Sequence, residues 1–537
     1  MDAIANNATN TPLMLGMVAL FIAVIAFLSY LGSRKTKNAR DYMLAGGSIH
    51  PFIMAMSYGA AFISTSSIIG FGGVAGRYGM GILWLAWMNI VFGIFVGFRY
   101  YGRRTRAMGT TLEAHTFPEF IGRRYNSTGI TVFIAAVIFL FMPLYTSAVL
   151  IGGARVVQQV VNLDYSTALY ALSAIIALYV LFGGLRGMMY VDAMLGSVMV
   201  AGMLALLFLT YKTTGGVIST HQELTNMAHL VPEDMRAVGH QGWTSMPTLN
   251  SQWWWTLVSS LMLGVGIGAL AQPQLAVRFM TVKSDRELNR AIWVGAMFIM
   301  LTAGGAYVVG ALTNVWFFQQ DGKIAVDAVG GNHDLIMPTF INRALPQWFA
   351  YIFTITLLSA AMSTLSALLH VTGTSIGHDF FGSIGIRKVG TVRLTRIGIV
   401  IAMAASVVLA QVLPGSFIAR ATAIFFGICA ASFLPAYTAA IYWKRATRTG
   451  VWVSMICGAV ISVFCLVFMH RSESAPLGLC KLIFGKTELI SQGIWPYIDS
   501  IVYSLPLSAL ILIVVSLCTC NDDNKATVEK CFNSINK

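Results

Sequence analysis

One short apolar stretch of this sequence holds hydroxyl side chains at a spacing suited to binding a metal cation. The stretch LLSAAMSTLSALLH (357–370) contains Ser363, Thr364 and Ser366. Residues three apart share a face of a helix, so Ala360, Ser363 and Ser366 would bring two hydroxyls and a carbonyl towards one point. Neutral oxygens suit a hard monovalent cation such as Na⁺ that must also be released. The alternative is that each hydroxyl bonds back to the preceding turn of its own helix.

One carboxylate also lies within an apolar run. Asp192 belongs to FGGLRGMMYVDAMLG (182–196), and a charged side chain inside a membrane span is energetically expensive and usually functional. Two interpretations stay open for Asp192. It supports cation binding, or it is a carboxylate near the start of a helix that interacts with the helix dipole.

The composition predicts that these residues belong to a membrane protein. Of the 537 residues, 57% are hydrophobic and only 10% are charged, and the mean hydropathy is +0.72. Soluble domains contain about 25% charged residues, which excludes an ordinary soluble enzyme. The net charge of +14 is explained by the Lys and Arg that collect in cytoplasmic loops, so no nucleic-acid partner is expected. We predict one transmembrane domain over 1–520 and a short, polar and mobile cytoplasmic tail over 521–537.

Thirteen apolar segments are long enough to cross a bilayer core of about 30 Å. Segments 1 to 13 cover 11–32, 51–76, 79–100, 129–157, 165–184, 190–211, 252–277, 290–316, 346–375, 394–414, 417–442, 450–469 and 498–518. With the N-terminus outside and the C-terminus in the cytoplasm, 25 of the 35 Lys and Arg residues fall on the cytoplasmic side. This bias predicts that orientation and an odd number of crossings. Two long outer loops, 212–251 and 317–345, are expected to form short helices or lids.

Segments 2 and 7 are rich in small and helix-breaking residues. Segment 2 contains SYGAAFISTSSIIGFGGVAG (57–76), and segment 7 leads into LMLGVGIGALAQPQLAVRFM (261–280). Interrupted helices of this kind place free carbonyls around a cavity or an ion. The two segments run in opposite directions, which indicates inverted repeats over segments 2–6 (51–211) and 7–11 (252–442). The alternative is that the glycines only permit close helix packing.

The remaining reactive residues show no catalytic or metal-binding pattern. All seven cysteines lie in the last fifth of the chain, without a CxxC pair. The role of Cys518 and Cys520, at a membrane edge, stays open between acylation, metal binding and neither. His370 and His378 are eight residues apart, a spacing that does not indicate metal ligands. We therefore expect neither an enzyme nor a cofactor.

The chain resembles the sodium:solute symporter family, which includes bacterial proline, pantothenate and sialic acid transporters and the sodium–sugar cotransporters. The matching stretches are DYMLAGGSI (41–49), MSYGAAFISTSSIIGFGG (56–73), GGAR (152–155), FGGLRGMMYVDAMLG (182–196), AQPQLAVRFM (271–280) and AAMSTLSALL (360–369). They occur in the family's order along the chain. The resemblance implies an all-α polytopic fold of about 13 transmembrane helices. Its core would be a five-plus-five inverted repeat of the leucine-transporter type that works by alternating access.

The resemblance also implies a sodium site inside this core. Its ligands would be the backbone carbonyls of Ala60, Ile63 and Ala360 and the hydroxyls of Ser363 and Thr364. In some members a second sodium site includes the positions of Asp192 and Ser366. Ala367 stands where those members carry another serine, so the number of coupled sodium ions stays open.

The solute is expected to bind beside the interruptions of segments 2 and 7. The candidate lining residues are Phe62, Ser64, Ser67, Trp84, Trp87, Tyr145, Gln272 and Gln274. Phe62 stands where relatives are often polar, and segment 3 lacks the Glu or Gln of sugar and sialic acid carriers. A small apolar pocket with few polar groups is favoured. The expected order of solutes is a monocarboxylate or pantothenate-like acid, then a zwitterion such as proline, then a sugar.

Together these features predict sodium-coupled symport of a small organic solute across the plasma membrane. The expected partners are the lipid bilayer, the solute and Na⁺ as the coupling ion. Proton coupling through Asp192 stays open, as does a transporter-like sensor that reports solute to a separate protein. An ion channel is disfavoured because no repeated filter sequence occurs. An enzyme within the membrane is disfavoured because no catalytic cluster occurs in the spans.

Overall fold

The structure is a computed structural model that describes residues 11–161, 163–383, 385, 390–413, 418–519 and 524–535. Within these ranges the regular structure is entirely helical. Cys518 is exposed at the end of segment 13, and Cys520 lies outside the described residues.

Eleven helices in the described part of the chain are long and apolar enough to cross a membrane, and a bent pair of helices adds a twelfth. The long helices are Gly16–Ser33, Met80–Thr111, Thr128–Gln158, Tyr165–Thr214, Gln252–Ala271, Asp285–Asp321, Gln347–Phe381, Thr391–Val412, Thr422–Tyr442, Arg448–Phe468 and Ile501–Cys518. The bent pair is Pro51–Phe62 with Ser66–Tyr78, at an angle of 60°. Each predicted segment corresponds to one of these elements, except that a single helix covers segments 5 and 6.

That helix contains two crossings. Its 50 residues would span about 75 Å if straight, more than twice the apolar thickness of a bilayer. The backbone breaks at Gly184, where φ is 58° and ψ is −174°, a conformation that favours glycine. On either side of the break, Tyr179 donates to the Met362 carbonyl and Asp192 accepts from Ser366. Because these partners lie one turn apart on segment 9, the helix folds back at Gly184. If its two halves are counted separately, the described part of the chain offers thirteen candidate crossings.

Segments 2 and 7 are both interrupted, as the sequence predicts. In segment 2 the first helix ends at Phe62, and Ile63 has the extended angles φ −92° and ψ 108°. In segment 7 the break falls at Gln272 (φ −74°, ψ 116°), immediately before Pro273, which has no N–H to continue a helix. Both breaks are buried, which is the setting that interrupted helices need at membrane depth.

Segment 9 runs through the centre of the bundle and is almost completely buried. It packs against segments 2, 4, 5, 6 and 10. Small residues permit the close approach. A Cβ atom at Gly153 of segment 4 would lie 3.1 Å from the Ala361 Cβ, and one at Gly373 would overlap Ile399 of segment 10. In the interrupted segments, a Cβ atom at Gly59 would overlap Phe298 and one at Gly266 would lie 2.8 Å from Met88. Close glycine packing and helix interruption therefore occur together there.

The two long outer loops contain short helices, as expected. Loop 212–251 carries Val217–Asn226 and Glu233–Ala237, and loop 317–345 carries Ala325–Ala328 and Ile336–Ala344. The other short helices are Ala39–Leu44, Phe117–Arg124, Pro273–Ala276, Arg471–Leu477 and Leu479–Phe484.

The tail differs from the prediction of a polar, mobile segment. Residues Lys525–Ile535 form a helix, and Val528, Cys531 and Phe532 are buried. These three side chains follow the i, i+3, i+4 spacing of an apolar helix face, a signal that the overall polarity of the tail obscures. The preceding Asn524 donates to the Arg124 carbonyl at 2.8 Å, so the helix is held against the connection between segments 3 and 4.

Candidate functional site

Segment 9 meets segment 2 beside the break in segment 2. The Ala60 carbonyl accepts hydrogen bonds from Ser363 Oγ at 2.8 Å and from Thr364 Oγ1 at 3.4 Å. Ser363 Oγ also lies 3.2 Å from the Ala360 carbonyl. All four residues are fully buried. Ser359, one turn earlier, bonds back within its own helix, whereas Ser363 and Thr364 reach across to segment 2.

The oxygens in this group are neutral. Ile63, the fifth residue of the predicted sodium site, lies three positions beyond Ala60 within the break and is 1% exposed. A hydroxyl oxygen has two lone pairs and a hydrogen that can rotate, so Ser363 and Thr364 can act as donors or as cation ligands. Chemically, the group can replace part of the hydration shell of a small monovalent cation.

Asp192 of segment 6 belongs to a separate polar group. This group meets segment 9 at Ser366, one turn beyond Ser363. Its carboxylate is fully buried and forms an ion pair with Arg278 at 3.1 Å. Ser57 Oγ donates to it at 2.8 Å, and Ser366 Oγ donates at 3.3 Å. Arg278 also donates to Ser57 and to the Gln274 carbonyl. Asp192 is therefore an interior carboxylate with its own cation. It lies eight residues after the helix break at Gly184, beyond the first turn in which a helix dipole acts.

Arg278 is the member of this group that sequence reasoning misplaces. The charge count assigns it to a cytoplasmic loop, but its side chain is only 1% exposed. The available signal is an arginine five residues after the Pro273 break, inside an apolar run. A charge in such a position needs a buried partner, and Asp192 is the carboxylate within the spans that can provide it.

Aromatic rings gather between the two breaks. Phe62 stacks on Phe426 with the ring centroids 6.2 Å apart, and the Tyr145 ring lies 5.8 Å from Phe426. The Tyr145 hydroxyl lies beside the Ser64 side chain. Ser67 is buried in the second half of segment 2, and its N–H donates to the Ser64 carbonyl. The structure thus brings together Phe62, Ser64 and Tyr145, three of the residues predicted to line the solute site. Phe426, which the sequence does not indicate, packs against the Phe62 and Tyr145 rings.

Two glutamines from segment 7 adjoin this aromatic group. Gln274 Nε2 donates to Gln272 Oε1 at 3.1 Å, and Gln272 Nε2 donates to the Gly268 carbonyl at 3.3 Å. Gly268 in turn packs against the Phe426 backbone. Gln274 Oε1 is buried and has no hydrogen-bond partner among the described residues. Because an unpaired buried acceptor is unfavourable, this oxygen is suited to a donor group on a ligand.

The structure does not place Trp84 and Trp87 in this group. Their side chains are 48% and 56% exposed, and they line a surface cleft of about 490 Å³ together with residues 244–246 of an outer loop. Tryptophan is common at membrane interfaces because its ring is amphipathic. These two residues therefore lie apart from the aromatic group, and their part in solute binding stays a prediction.

Comparisons with known proteins agree on one family. Residues 42–458 match the sequence model of the sodium:solute symporter family. The osmoregulated proline transporter OpuE of Bacillus subtilis is 27% identical over 480 residues, which cover 88% of this chain and 92% of that protein. The sodium/proline symporter of Escherichia coli is 26% identical over 485 residues, or 89% of this chain and 91% of that protein.

Solved structures share the fold at low sequence identity. A Na⁺-coupled sialic acid symporter in a substrate-bound, outward-open state has a TM-score of 0.73 and 16% identity, over 94% of this chain and 97% of that chain. The nucleobase-cation-symport-1 transporter Mhp1 in a closed conformation has a TM-score of 0.53 and 13% identity, over 92% of this chain and 100% of that chain. The fold is therefore an all-α bundle with the five-plus-five inverted-repeat core of these transporters. This multi-pass membrane protein belongs to the sodium:solute symporter family, whose members are transporters rather than enzymes.

Proposed function

We propose that this protein takes up a small zwitterion of the proline class together with one Na⁺, by alternating access. The observation that carries the proposal is the convergence of the Ala60 carbonyl with the Ser363 and Thr364 hydroxyls at the break of segment 2. In the proposed site, Na⁺ lies at the centre of this group, and the two hydroxyls keep their protons but rotate them away from the Ala60 carbonyl so that their oxygens face the ion. The carbonyls of Ala360 and Ile63 complete its five oxygen ligands.

Sodium at this position would couple the two repeats. Ala60 belongs to the first repeat and Ser363 to the second, so a bound ion holds segment 2 against segment 9. Coupling requires that the ion and the solute each bind one conformation of the bundle better than the other. A membrane potential of 100 mV contributes about 2.3 kcal/mol for each inward positive charge, so a single Na⁺ is sufficient to drive accumulation.

The Asp192 group supports a stoichiometry of one sodium ion. The carboxylate is already neutralised by Arg278 at 3.1 Å, and a second cation beside the guanidinium would meet like-charge repulsion. Ala367 supplies no hydroxyl at the position where members with a second site have one. In our proposal Asp192 and Ser366 therefore stabilise the bundle and do not bind Na⁺.

The aromatic group between the breaks is the proposed solute site. In this proposal, a pyrrolidine-sized apolar ring would pack beside Phe62 and Tyr145, and its ammonium group would donate to Gln274 Oε1. Its carboxylate would lie near the N-terminus of the half-helix that begins at Ser66, an arrangement that transporters use for anionic groups. The names of OpuE and of the sodium/proline symporters support proline before a monocarboxylate or pantothenate-like acid, which reverses the order expected from the sequence.

Uptake into proteoliposomes tests this function directly. Radiolabelled proline, acetate, pantothenate and glucose would be offered with an inward Na⁺ gradient and with K⁺ in its place. We expect Na⁺-dependent uptake of proline, and its loss in Ser363→Ala/Thr364→Ala. Proline uptake that ignores Na⁺ in the wild type and persists in the variant would contradict the proposed site. Na⁺-dependent uptake of another solute would move the substrate assignment and leave the sodium site in place.

Proton coupling and orientation are tested in the same vesicles and in cells. At fixed Na⁺, uptake should depend little on a pH gradient, because Asp192 is paired with Arg278. A pH gradient that drives uptake without Na⁺ would favour the proton alternative. In whole cells, a tag at the N-terminus should be accessible from outside and a tag after Lys537 should not.

A further inference from the structure

A cluster of metal-ligating side chains lies outside the transport site, at the predicted cytoplasmic end of segment 9. His115 and Glu119 come from the connection between segments 3 and 4, and His378 comes from the last turns of segment 9. One potential ligand atom of each residue lies within 4.8 Å of the others. His115 Nδ1 is 3.4 Å from Glu119 Oε2, and His378 Nε2 is 4.0 Å from Glu119 Oε1.

Two imidazoles and one carboxylate are a ligand set that Zn²⁺ binds readily, with bond lengths of about 2.0–2.2 Å. At these bond lengths, two ligands of a tetrahedral ion lie about 3.3–3.6 Å apart. The contacts of 3.4 and 4.0 Å run to the two different oxygens of Glu119, and the three ligand atoms lie within 4.8 Å of one another, so the side chains would have to draw together by up to about 1 Å around an ion.

The groups behind the cluster are arranged as at known metal sites. His378 Nδ1 lies 2.9 Å from Asp379 Oδ1. Because an ionised carboxylate only accepts, Nδ1 donates to it, and Nε2 is the ring nitrogen left to face a metal. Thr116 Oγ1 donates to the same carboxylate oxygen at 2.7 Å. Such a carboxylate–histidine pair orients a metal-binding imidazole and fixes its tautomer.

Glu119 retains the capacity to bind an ion. Oε2 accepts from the His115 backbone N–H at 2.7 Å, and Oε1 accepts from Arg123 at 2.6 Å. A carboxylate has about four lone-pair positions, so these two bonds hold its orientation and leave positions for a metal. The Arg123 side chain is 43% exposed, so water screens its charge, which is not the case for the buried Arg278 beside Asp192.

A cavity provides the remaining coordination position. It measures about 430 Å³ and is lined by Glu119, His378 and Asp379, among others. Asp379 Oδ2 is buried and has no hydrogen-bond partner within the part of the chain that the structure describes. An acceptor beside the cluster is what a metal-bound water needs.

We propose that His115, Glu119 and His378 bind one Zn²⁺, with a water from the cavity as the fourth ligand and Asp379 as a positioning residue. The ion links the short helix Phe117–Arg124 to the end of the helix that carries Ser363. Zn²⁺ bound there would restrain movement between these elements and slow the transport cycle. Spacing along the sequence does not reveal the site, because the ligand His378 lies more than 250 positions after the ligands His115 and Glu119. The proposal reverses the expectation that His378 is not a metal ligand.

Zinc titration of the full chain, purified in detergent and stripped with a chelator, tests the site. A fluorescent Zn²⁺ indicator competes for the ion. We expect one saturable site per chain, lost in His115→Gln, Glu119→Gln and His378→Gln. Asp379→Asn should weaken the affinity about 10–100-fold with the three ligands intact. His229→Gln, at a histidine of an outer loop, is the matched control and should bind as the wild type does.

Cobalt substitution of the wild-type protein tests whether the site is four-coordinate, even where a ligand variant fails to fold. Co²⁺ bound to the wild type should give the intense visible absorption of a four-coordinate ion, and stoichiometric Zn²⁺ should displace it. A weak octahedral spectrum would overturn the proposal, as would wild-type binding no tighter than that of the three ligand variants.

Discussion

Segment 9 carries two groups of buried polar atoms one helical turn apart, and they balance charge differently. Around Ser363 the contacts join hydroxyls to the Ala60 and Ala360 carbonyls, all of them neutral. Around Ser366 the contacts join a carboxylate to an arginine from segment 7. The first group connects segment 9 to segment 2 through Ala60. The second connects it to segment 6 through Asp192, which also accepts from Ser57 of segment 2.

The difference indicates which group is suited to an ion that comes and goes. Neutral oxygens bind Na⁺ by replacing its hydration shell and release it at little electrostatic penalty. A buried carboxylate with a built-in guanidinium is already satisfied, and removing either partner leaves an uncompensated charge. Segment 9 therefore contributes Ser363 and Thr364 to a proposed exchangeable site and Ser366 to the surroundings of a buried ion pair between two other segments.

Removing both hydroxyls of the neutral group should have the largest effect. Each contact to a charged ligand is worth about 1.5–3 kcal/mol, so Ser363→Ala/Thr364→Ala should weaken Na⁺ binding by about 100-fold or more. Radioactive sodium binding to the purified protein measures the change. Ser359→Ala, at a buried serine of the same helix that bonds back to Ile355, should leave the affinity unaltered. Equal losses in both variants would show that helix packing, not ligation, is responsible.

Breaking the ion pair should mainly reduce stability. Asp192→Asn or Arg278→Gln leaves one buried charge unpaired, and each should lower the free energy of unfolding by about 3–5 kcal/mol. The double variant should lose clearly less than the sum, because no uncompensated charge remains. Thermal unfolding in detergent follows these changes, and additive effects would argue against a direct pair.

An Arg278→Gln protein that still folds would sharpen the comparison further. Without the internal cation, the Asp192 carboxylate and the hydroxyls of Ser57 and Ser366 form an anionic group able to bind a cation. The sodium dependence of uptake should then steepen, from a Hill coefficient of about 1 towards about 2. An unchanged slope would mean that Arg278 is not what excludes a second ion.

Ser366→Ala should have the smallest effect. It removes one hydrogen bond to the Asp192 carboxylate, which keeps its contacts with Arg278 and Ser57. The free energy of unfolding should fall by at most about 1.5–3 kcal/mol. The half-saturating Na⁺ concentration for uptake should stay at the wild-type value. A large rise in that concentration would place Ser366 among the sodium ligands and would remove the distinction between the two groups.

Much of the architecture could be predicted from local signals. Apolar run length gives the crossings, and Gly, Ser and Pro density gives the two interrupted helices, because both depend on residues close together in sequence. Helical spacing identifies Ser363 and its neighbours as candidate ligands. Their contact with Ala60, more than 300 positions away, is beyond the reach of spacing, and only the family resemblance predicts it.

What escapes prediction depends on contacts between distant segments or on the direction of a side chain. Arg278 looks like a loop charge until Asp192 is placed beside it. Trp84 and Trp87 have suitable chemistry, but they are about half exposed and line a cleft with residues of an outer loop, which their sequence positions do not reveal. The tail helix has too few apolar residues to raise its average hydropathy, yet its three buried residues fall on one face.

The turn at Gly184 also has a consequence for biosynthesis. Crossings 5 and 6 form one continuous helical element with a single non-helical residue at the break, so there is almost no connecting loop. With so short a junction, we expect the two halves to enter the bilayer together as a hairpin rather than one after the other. This junction is also a poor place for an inserted epitope or a protease site, since a Cβ atom at Gly184 would already lie 3.0 Å from Tyr42.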